Sequence, residues 1–383
     1  MLRKIETRLG IVIVVFCLVG CLGGTSYKTV DDIIALLKAK VGEEAVMAHI
    51  AENGMTSDLS TKDIINLKKV GASDDLLTYM ITIGTDDFPL EIEKDFVVKR
   101  PTVHKHLVIY PVFRKTSINM EDYITLDEAQ KANIIVIIEQ TNASVPMVVI
   151  KNTGRKPIYI MAGEIIIGGK QDRMVSFDVL IPAGKEVEVS VKCVEHGRWH
   201  GKSAEFKSGG AVGGKGVRSA LQFKAQQDVW NEVSKMCREN DAQSASGTYR
   251  AVLSSEDVEQ KSKPFLDAMK KGLRNDDMVG MIMALNGEVV CVDIFANPKF
   301  FAKVKDKLLK AYVLDAISAE ETSGDIPGKK EILAFFEELK VAKTKELKRY
   351  NANCNIELES DEIIGNESRD NEGRLQHLNL YQH

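Results

Sequence analysis

The stretch that decides the fold runs from Met147 to Val194 and reads MVVIKNTGRKPIYIMAGEIIIGGKQDRMVSFDVLIPAGKEVEVSVKCV. It consists of short apolar, largely β-branched runs, separated by three turn signals: Asn152-Thr153-Gly154, Gly168-Gly169 and Pro182-Ala183-Gly184. Short apolar runs at this spacing are typical of strands in antiparallel sandwiches and barrels. The stretch therefore predicts an antiparallel β-rich domain, either a sandwich or a partly open barrel.

Patterns on both sides extend this domain to residues 104–382. Upstream, residues 106–110 and 134–139 read as strands, and Thr125 as the cap of a short helix. Downstream we expect these elements: helices over 217–239, 264–273 and 300–317, a hairpin over 279–294 that turns at Asn286-Gly287, and a final pair of strands within 346–382. The fold class is α+β, with several helices packed on the β-rich domain.

The first twenty residues have the pattern of an export signal. Residues 1–8 are basic, and the apolar run over 11–19 is too short to span a membrane comfortably. The end of this run and the two residues after it, Leu18-Val19-Gly20-Cys21, resemble the lipobox of bacterial lipoproteins. We therefore predict that residues 1–20 are removed and that acyl chains on Cys21 fix the chain to a membrane. The alternatives are an uncleaved anchor and a secretory signal with a chance cysteine. Residue 22 is Leu rather than Asp, which by resemblance to enterobacterial sorting favours the periplasmic face of the outer membrane in a diderm cell.

Three further segments precede the β-rich domain. After a tether over 21–28, residues 29–81 hold two similar units, in which 32–36 (DIIAL) aligns with 63–67 (DIINL). Each unit reads as a helical hairpin, and the pair resembles the small helical repeats that follow lipoprotein anchors. The repeat is either a spacer or a docking module for a partner protein, and residues 82–103 read as a linker.

Charge and cysteine content exclude some classes of function. The chain has 51 basic and 55 acidic residues; without the first twenty, 48 basic and 54 acidic residues give a formal charge of −6. This balance gives no reason to expect nucleic-acid binding. The four later cysteines allow three disulfide pairings or four buried thiols, and form no CxxC pair: Cys193, Cys237, Cys291 and Cys354. We expect no metal site and can name no cofactor.

The first candidate for chemistry is the segment from Gly163-Glu164 to the turn Gly168-Gly169-Lys170-Gln171-Asp172-Arg173. Paired glycines allow a close backbone approach to a ligand, and Lys170 and Arg173 could bind phosphate or carboxylate. Glu164 could act as a general acid or base. The strand–GxxxxGK–helix context of a P-loop is missing. The alternative is a β-turn with ordinary surface charges.

The second candidate is Cys193-Val194-Glu195-His196-Gly197-Arg198-Trp199-His200. Glu195 and Arg198 could bind a polar ligand on which Trp199 stacks. The alternative is a strand that ends in a loop, with Trp199 in the core and Glu195 paired to Arg198. A third segment, the glycine-rich loop over 208–218, opens a helix and is either an anion-binding helix N-terminus or a surface connection.

Read together and in order, these segments resemble the ADP-ribosylglycohydrolase- and rhodanese-phosphatase-associated protein family. The similarity includes residues 123–129, 227–233, 292–295 and 308–312, and it covers about residues 104–382. It implies an association with ADP-ribose-processing partners and no established reaction. The sequence departs from the pattern at Asp172, where the resemblance leads us to expect Asn, and at His196, where we expect another polar residue.

Three hypotheses follow for function. The first is a membrane-anchored, ligand-binding α+β domain whose ligand is undetermined, with nucleotide- or ADP-ribose-related compounds as candidates. Its expected ligand-binding residues are Gly168, Gly169, Lys170, Gln171, Arg173, Arg198 and Trp199. The second is a hydrolase of a nucleotide-linked or glycosidic bond that uses Glu164 and Glu195 as paired carboxylates. The third is a structural or protein-interaction scaffold at the cell envelope.

Overall fold

The computed structural model describes residues 29–53, 59–83, 88–92, 95–116, 120–139, 146–198, 205–242, 244–274, 277–322 and 324–383. The chain divides into two compact units, residues 1–86 and 87–383. The predicted signal peptide and the lipidation residue Cys21 lie outside the described residues.

The first unit is helical, as predicted for residues 29–81. Its helices are α1 (Val30–Lys38), α2 (Glu43–Asn53), α3 (Thr61–Lys69) and α4 (Asp74–Ile83). The two repeats begin with the same capping box, formed by Thr29 with Asp32 and by Ser60 with Asp63. The carboxylate of Glu43 at the start of α2 accepts a hydrogen bond of 2.7 Å from the backbone N–H of Ser73. This contact joins the two helical hairpins.

The second unit is α+β. Its elements are, in chain order, β1 (Leu90–Ile92), β2 (Phe96–Val98), β3 (Thr102–His104), β4 (Leu107–Arg114), β5 (Ile124–Thr125), α5 (Leu126–Lys131), β6 (Ile135–Glu139), β7 (Met147–Asn152), β8 (Ile158–Ile160), β9 (Glu164–Gly168), β10 (Arg173–Val175), β11 (Val179–Ile181), β12 (Glu186–Cys193), β13 (Glu205–Val212), α6 (Lys215–Phe223), α7 (Gln226–Glu239), α8 (Arg250–Leu253), α9 (Glu256–Gly272), β14 (Met278–Leu285), β15 (Glu288–Phe295), α10 (Pro298–Ser318), α11 (Lys329–Val341), β16 (Lys343–Arg349), β17 (Asn353–Glu359), β18 (Ile363–Asp370) and β19 (Leu375–Gln382).

Two large β structures organise this unit. Six strands close into a barrel in the order β10-β12-β7-β6-β13-β9. Ten strands form an antiparallel sheet in the order β1-β2-β4-β14-β15-β19-β18-β17-β16, with β3 also paired to β4. The stretch that suggests β structure most strongly, residues 147–194, supplies four strands of the barrel, and this barrel is closed rather than partly open. A small sheet of β11, β8 and β5 completes the β structure.

Helix α10 lies in the main core between the sheet and the barrel. Its buried face, which includes Phe301 and Leu308, shares a cluster with Met281 of the sheet and Val212 of barrel strand β13. Helices α6 and α7 pack on the barrel, where their apolar residues meet Ile165. Helix α11 covers the opposite face of the sheet. The interior between sheet, α6 and α10 is where the polar groups described below are buried.

Several local expectations are confirmed and others differ. The hairpin turns at Asn286 and Gly287, which both have positive φ, 51° and 88°. The helical stretch over 217–239 is two helices, because the chain takes an extended conformation at Lys224 and Ala225. The tail holds four strands instead of two. Strands β1 and β2 and the first two residues of β3 fall within 82–103, where we expect a linker, and all three strands belong to the large sheet.

Candidate functional site

The turn between β9 and β10 needs its two glycines. Gly168 and Gly169 have φ values of 137° and 51°, a region that favours glycine. A Cβ on Gly168 would overlap the carbonyl oxygen of Glu205, and one on Gly169 would overlap the ring of Phe206. The close approach that the sequence suggested is therefore to strand β13 of the same chain.

Arg198 binds back onto this turn. Its Nε donates to the Glu195 carboxylate at 2.8 Å, and Nη1 donates to the carbonyl of Gly169 at 3.1 Å. Nη2 donates to the Asp172 carboxylate at 2.9 Å and lies 3.4 Å from the carbonyl oxygen of Gly168. All three guanidinium nitrogens thus contact protein acceptors, and the Glu195–Arg198 pair given above as an alternative is present. We call these five residues the Arg198 cluster.

The two carboxylates of the Arg198 cluster, Asp172 and Glu195, are both buried. Asp172 donates its backbone N–H to the Glu195 carboxylate at 3.0 Å. Burial, and then the neighbouring Glu195, raise the pKa of Asp172. Burial would also raise the pKa of Glu195, but hydrogen bonds from Arg198 and from the Asp172 N–H outweigh it and lower that pKa. The side-chain amide of Gln171 donates to the carbonyl oxygen of Glu195 at 2.7 Å and ties the loop to the turn.

The remaining predicted site residues lie elsewhere. Arg173 is buried and pairs with Glu139 of β6, with its guanidinium over the ring of Phe206. Lys170 is exposed. Trp199 lies outside the described residues. The structure therefore brings Gly168, Gly169, Gln171 and Arg198 together with Glu195, whereas the side chain of Arg173 pairs with Glu139.

Glu164 belongs to a different group of charges. It is buried at the start of β9 and forms an ion pair with Lys307 of α10, which also lies 2.5 Å from Asp127. Burial raises the pKa of Glu164 although Lys307 acts in the opposite direction. Glu164 and Glu195 share no partner among the described residues. Four residues of strand, about 13 Å at the usual rise, separate Glu164 from the Arg198 cluster at Gly168.

The glycine-rich segment over 208–218 already holds an anion from its own chain. It comprises the end of β13 and the first turn of α6, where Asp315 of α10 accepts a hydrogen bond of 2.8 Å from the backbone N–H of Lys215. The preceding N–H, of Gly214, donates to the Tyr249 hydroxyl at 3.0 Å. A Cβ on Gly214 would overlap the Asp315 carboxylate. The helix N-terminus is thus occupied by a side chain of this protein.

A dense group of polar side chains lies in the interior, and Arg218, the last residue of the glycine-rich segment, is its one member that falls within a candidate segment of the sequence. Arg218 of α6 donates from both terminal nitrogens to Asp293 of β15, at 2.8 and 2.9 Å. His377 of β19 lies between two carboxylates, with Nε2 3.1 Å from Asp293 and Nδ1 2.8 Å from Asp178. The hydroxyl of Tyr312 also donates to Asp293, at 2.5 Å. All these side chains are buried.

These neighbours set the charge of each group. Burial would lower the pKa of His377, but Asp178 and Asp293 outweigh it and raise that pKa to about 9. Burial would raise the pKa of Asp293, but Arg218 and His377 hold it well below the usual range. Burial also raises the pKa of the adjacent Cys291 thiol, which favours its neutral form.

Amide side chains extend the polar interior across the sheet. On β19, Asn379 pairs in register with Asp293 on one side and with Asn366 of β18 on the other, so all three side chains lie on one face. Gln222, one helical turn beyond Arg218, donates to the hydroxyl of Tyr381 at 3.2 Å. We call the set the buried polar layer: Asp178, Arg218, Gln222, Asp293, Asn366, His377 and Asn379.

Several atoms of the buried polar layer have no hydrogen-bond partner among the described residues. They are the Nε of Arg218, the Oε1 of Gln222, the Oδ1 of Asn366 and both polar atoms of the Asn379 amide. Such atoms are rare in folded proteins, where local strain, a catalytic role, ordered water or an ion accounts for them. The available sequence signal was a charged residue, Asp293, inside an otherwise apolar strand.

Other classes of site find no support in the described part of the chain. No group of three or more histidine, cysteine or acidic residues there is placed to hold a metal ion. Cys193, Cys237, Cys291 and Cys354 are free, buried thiols. No described helix combines the length and apolar character needed to cross a membrane.

Comparison with known proteins identifies the family but not an activity. Neither a curated protein nor a solved structure matches the chain. The model of the ARG and Rhodanese-Phosphatase-superfamily-associated Protein domain matches residues 95–381, which include the barrel and, apart from β1, the strands of the large sheet. The resemblance expected from the ordered motifs is confirmed, and the chain belongs to this family.

Proposed function

We propose that this chain is an exported, lipid-anchored protein whose second unit binds a small polar ligand at the buried polar layer. One observation carries the ligand-binding part: four neighbouring side chains of this layer, each at most 5% exposed, keep polar atoms that no described residue satisfies. The four are Arg218, Gln222, Asn366 and Asn379.

The energetic argument concerns those unpaired atoms. A buried polar atom without a partner costs about 1–3 kcal/mol, so several of them together would be a substantial part of the stability of a domain. A ligand that hydrogen-bonds to them removes this cost and gains specificity. Ligand sites in proteins are largely apolar enclosures with a few converging polar groups, and here the rings of Tyr312 and Tyr381 lie beside Arg218.

The membrane anchor is supported by the sequence of the first 21 residues. A basic start, an apolar run and Cys21 after small residues are what lipidation requires. In this proposal the helical repeat is a spacer between the membrane and the second unit. A partner protein docked on residues 29–81 is the alternative, and capture of one stable partner that is lost on deletion of this repeat would favour it.

Mass spectrometry of the mature protein tests the anchor. We expect loss of residues 1–20 and an added acyl mass on Cys21. Cys21→Ser should abolish the acyl mass and release the protein from membranes, whereas Cys17→Ser, within the predicted signal, should change neither. An intact Met1 and an unmodified Cys21 would disprove this part of the proposal.

The ligand is tested by analysing small molecules released from the purified full-length protein. We expect one compound in near-stoichiometric amount from the wild type, and its loss from Asn379→Leu and Gln222→Met, which preserve side-chain volume. Gln227→Ala, on the exposed side of α7, is the control. Circular dichroism shows which variants fold. A folded Gln222→Met that retains the compound, or a wild type that contains none and binds none, would refute the proposal.

The geometry gives no support to a hydrolase with paired carboxylates. Glu164 forms an ion pair with Lys307, whereas Glu195 binds Arg198. Two carboxylates that act on one glycosidic bond lie about 5–9.5 Å apart. Here each carboxylate is paired with its own cation, and the two share no partner among the described residues.

A further inference from the structure

The charged groups of the buried polar layer balance one another. Both ring nitrogens of His377 face carboxylate oxygens, of Asp178 and Asp293, and both must donate, so the ring is an imidazolium. Arg218 is the second cation and Asp293 and Asp178 are the two anions. The four charges sum to zero, with every charged group at most 1% exposed.

This balance constrains what can be buried beside the layer. An isolated charge in a low-dielectric interior is very costly unless an opposite charge compensates it. Arg218 and His377 are already committed to carboxylates, at distances between 2.8 and 3.1 Å. A phosphorylated or carboxylated ligand would therefore add negative charge that no spare cation of the layer neutralises.

The free atoms of the layer constrain the ligand independently. Three are amide carbonyl oxygens, on Gln222, Asn366 and Asn379, and accept hydrogen bonds only. The free donors are the Nε–H of Arg218 and the NH₂ group of Asn379. Phosphate and carboxylate oxygens cannot donate to the three carbonyls. Hydroxyl groups both donate and accept, and match this set.

We propose that the ligand of the buried polar layer is an uncharged molecule with several hydroxyl or amide groups, of the class of sugars, polyols and nucleosides, and not a phosphorylated nucleotide such as ADP-ribose. This inference rests on the proposed function and names the ligand class for the same site. Asn379 lies at the centre of recognition, because its amide offers both a donor and an acceptor and lies in register between Asp293 and Asn366.

Thermal unfolding of the detergent-extracted full-length protein, after removal of bound small molecules by dialysis, tests the ligand class. The neutral probes are ribose, inositol and uridine; the charged probes are ribose 5-phosphate, uridine monophosphate and ADP-ribose. We expect at least one neutral probe to raise the unfolding temperature in a saturable way, and its phosphorylated counterpart to bind at least a hundredfold more weakly. In Gln222→Met the shift should be lost, and in Gln227→Ala it should be kept.

The outcomes separate this inference from the proposed function. Tight binding of a phosphorylated probe that depends on Gln222 or Asn379 would overturn the neutral class and leave ligand binding intact. Binding by no probe, together with a crystal structure in which only ordered water contacts Asn379, would overturn both. Binding of a neutral probe that is unchanged in Asn379→Leu and Gln222→Met would show that the probe binds at another site and would overturn the assignment of the ligand to the buried polar layer.

Discussion

The Arg198 cluster and the buried polar layer each combine an arginine with two carboxylates, but they differ in how many of their polar atoms have a hydrogen-bond partner. In the Arg198 cluster every guanidinium nitrogen contacts an acceptor of the same turn or loop. In the buried polar layer Arg218 keeps a free Nε, and the amides of Gln222, Asn366 and Asn379 keep free atoms. The first arrangement fixes a loop, and the second leaves polar atoms without a partner among the described residues, which is the basis of the proposed ligand site.

The difference shows that local density of reactive residue types is a poor guide to a site. Residues 193–200 hold a thiol, a carboxylate, two imidazoles and a guanidinium, yet Glu195 and Arg198 bind each other and the neighbouring turn, and His196 packs edge-on against Trp230. The buried polar layer comes from residues scattered between 178 and 379, which the sheet register brings together. Four experiments test this contrast.

The largest effect is expected for Asp293→Asn. This change leaves Arg218 and His377 buried without their shared counter-charge, so the free energy of unfolding should fall by about 3–5 kcal/mol. Urea denaturation measures it, with the exposed Asp361→Asn as control, expected within about 0.5 kcal/mol of wild type. A loss below 1 kcal/mol for Asp293→Asn would contradict the charge assignment.

The pH dependence of stability should report His377. Because its folded-state pKa is raised from 6.5 to about 9, the folded protein holds the proton more tightly than the unfolded chain. Its contribution is complete below about pH 6.5 and is lost as the pH rises through 9, an effect of about 3 kcal/mol. Urea denaturation at pH 6 and pH 10 measures this fall, which should be smaller in His377→Gln. Equal falls in both proteins would refute it.

A smaller loss is expected for Arg198→Ala. Removal of the guanidinium leaves the carboxylates of Glu195 and Asp172 with fewer donors, which should cost about 1–3 kcal/mol and speed hydrogen exchange in the 168–173 turn. Arg198→Lys should recover only part of this stability, because Lys keeps the positive charge but lacks the planar guanidinium that binds several acceptors at once. Ligand binding should be unchanged in a folded variant. Loss of binding with normal stability would instead place the ligand at the turn.

The smallest effect is expected for Lys170→Ala. The side chain is exposed on the turn, and the free energy of unfolding should stay within about 0.5 kcal/mol of wild type. Calorimetry with the ligand should give an unchanged affinity. A tenfold weaker affinity would return Lys170 to the binding residues that the sequence suggested.

Elements of the fold that depend on residues close together in the sequence were predictable, whereas those that depend on distant residues were not. The Asn286-Gly287 hairpin and the helix over 300–317 depend on local turn chemistry and periodicity, and both were predicted. The break at Lys224 and Ala225 carries no glycine or proline, and the extended conformation there is set by the packing of two helices on the barrel. Division of the strands between a barrel and a ten-stranded sheet depends on pairing between distant residues, which periodicity does not encode.

The candidate site was predictable only in part. The pairing of Glu195 with Arg198 follows from their three-residue spacing and was foreseen as an alternative. Glu164 was given as a candidate general acid or base, but its partner Lys307 lies 143 residues away and could not be predicted. Asn379 and Gln222 gave no local signal at all, because an amide in a strand or helix has meaning only once its neighbours are known.

The hydrogen bond between Asp315 and the first turn of α6 has a consequence for how ligand selectivity at the proposed site could evolve. Helix α6 carries Arg218 and Gln222 on one face, and its starting point is set by a carboxylate of α10. A substitution along α10 that shifts this carboxylate would move Arg218 and Gln222 together, without touching either of them, and under the proposed function both contribute to the ligand site. Diversity in what related domains accept should therefore track residues of α10 as much as those that line the interior.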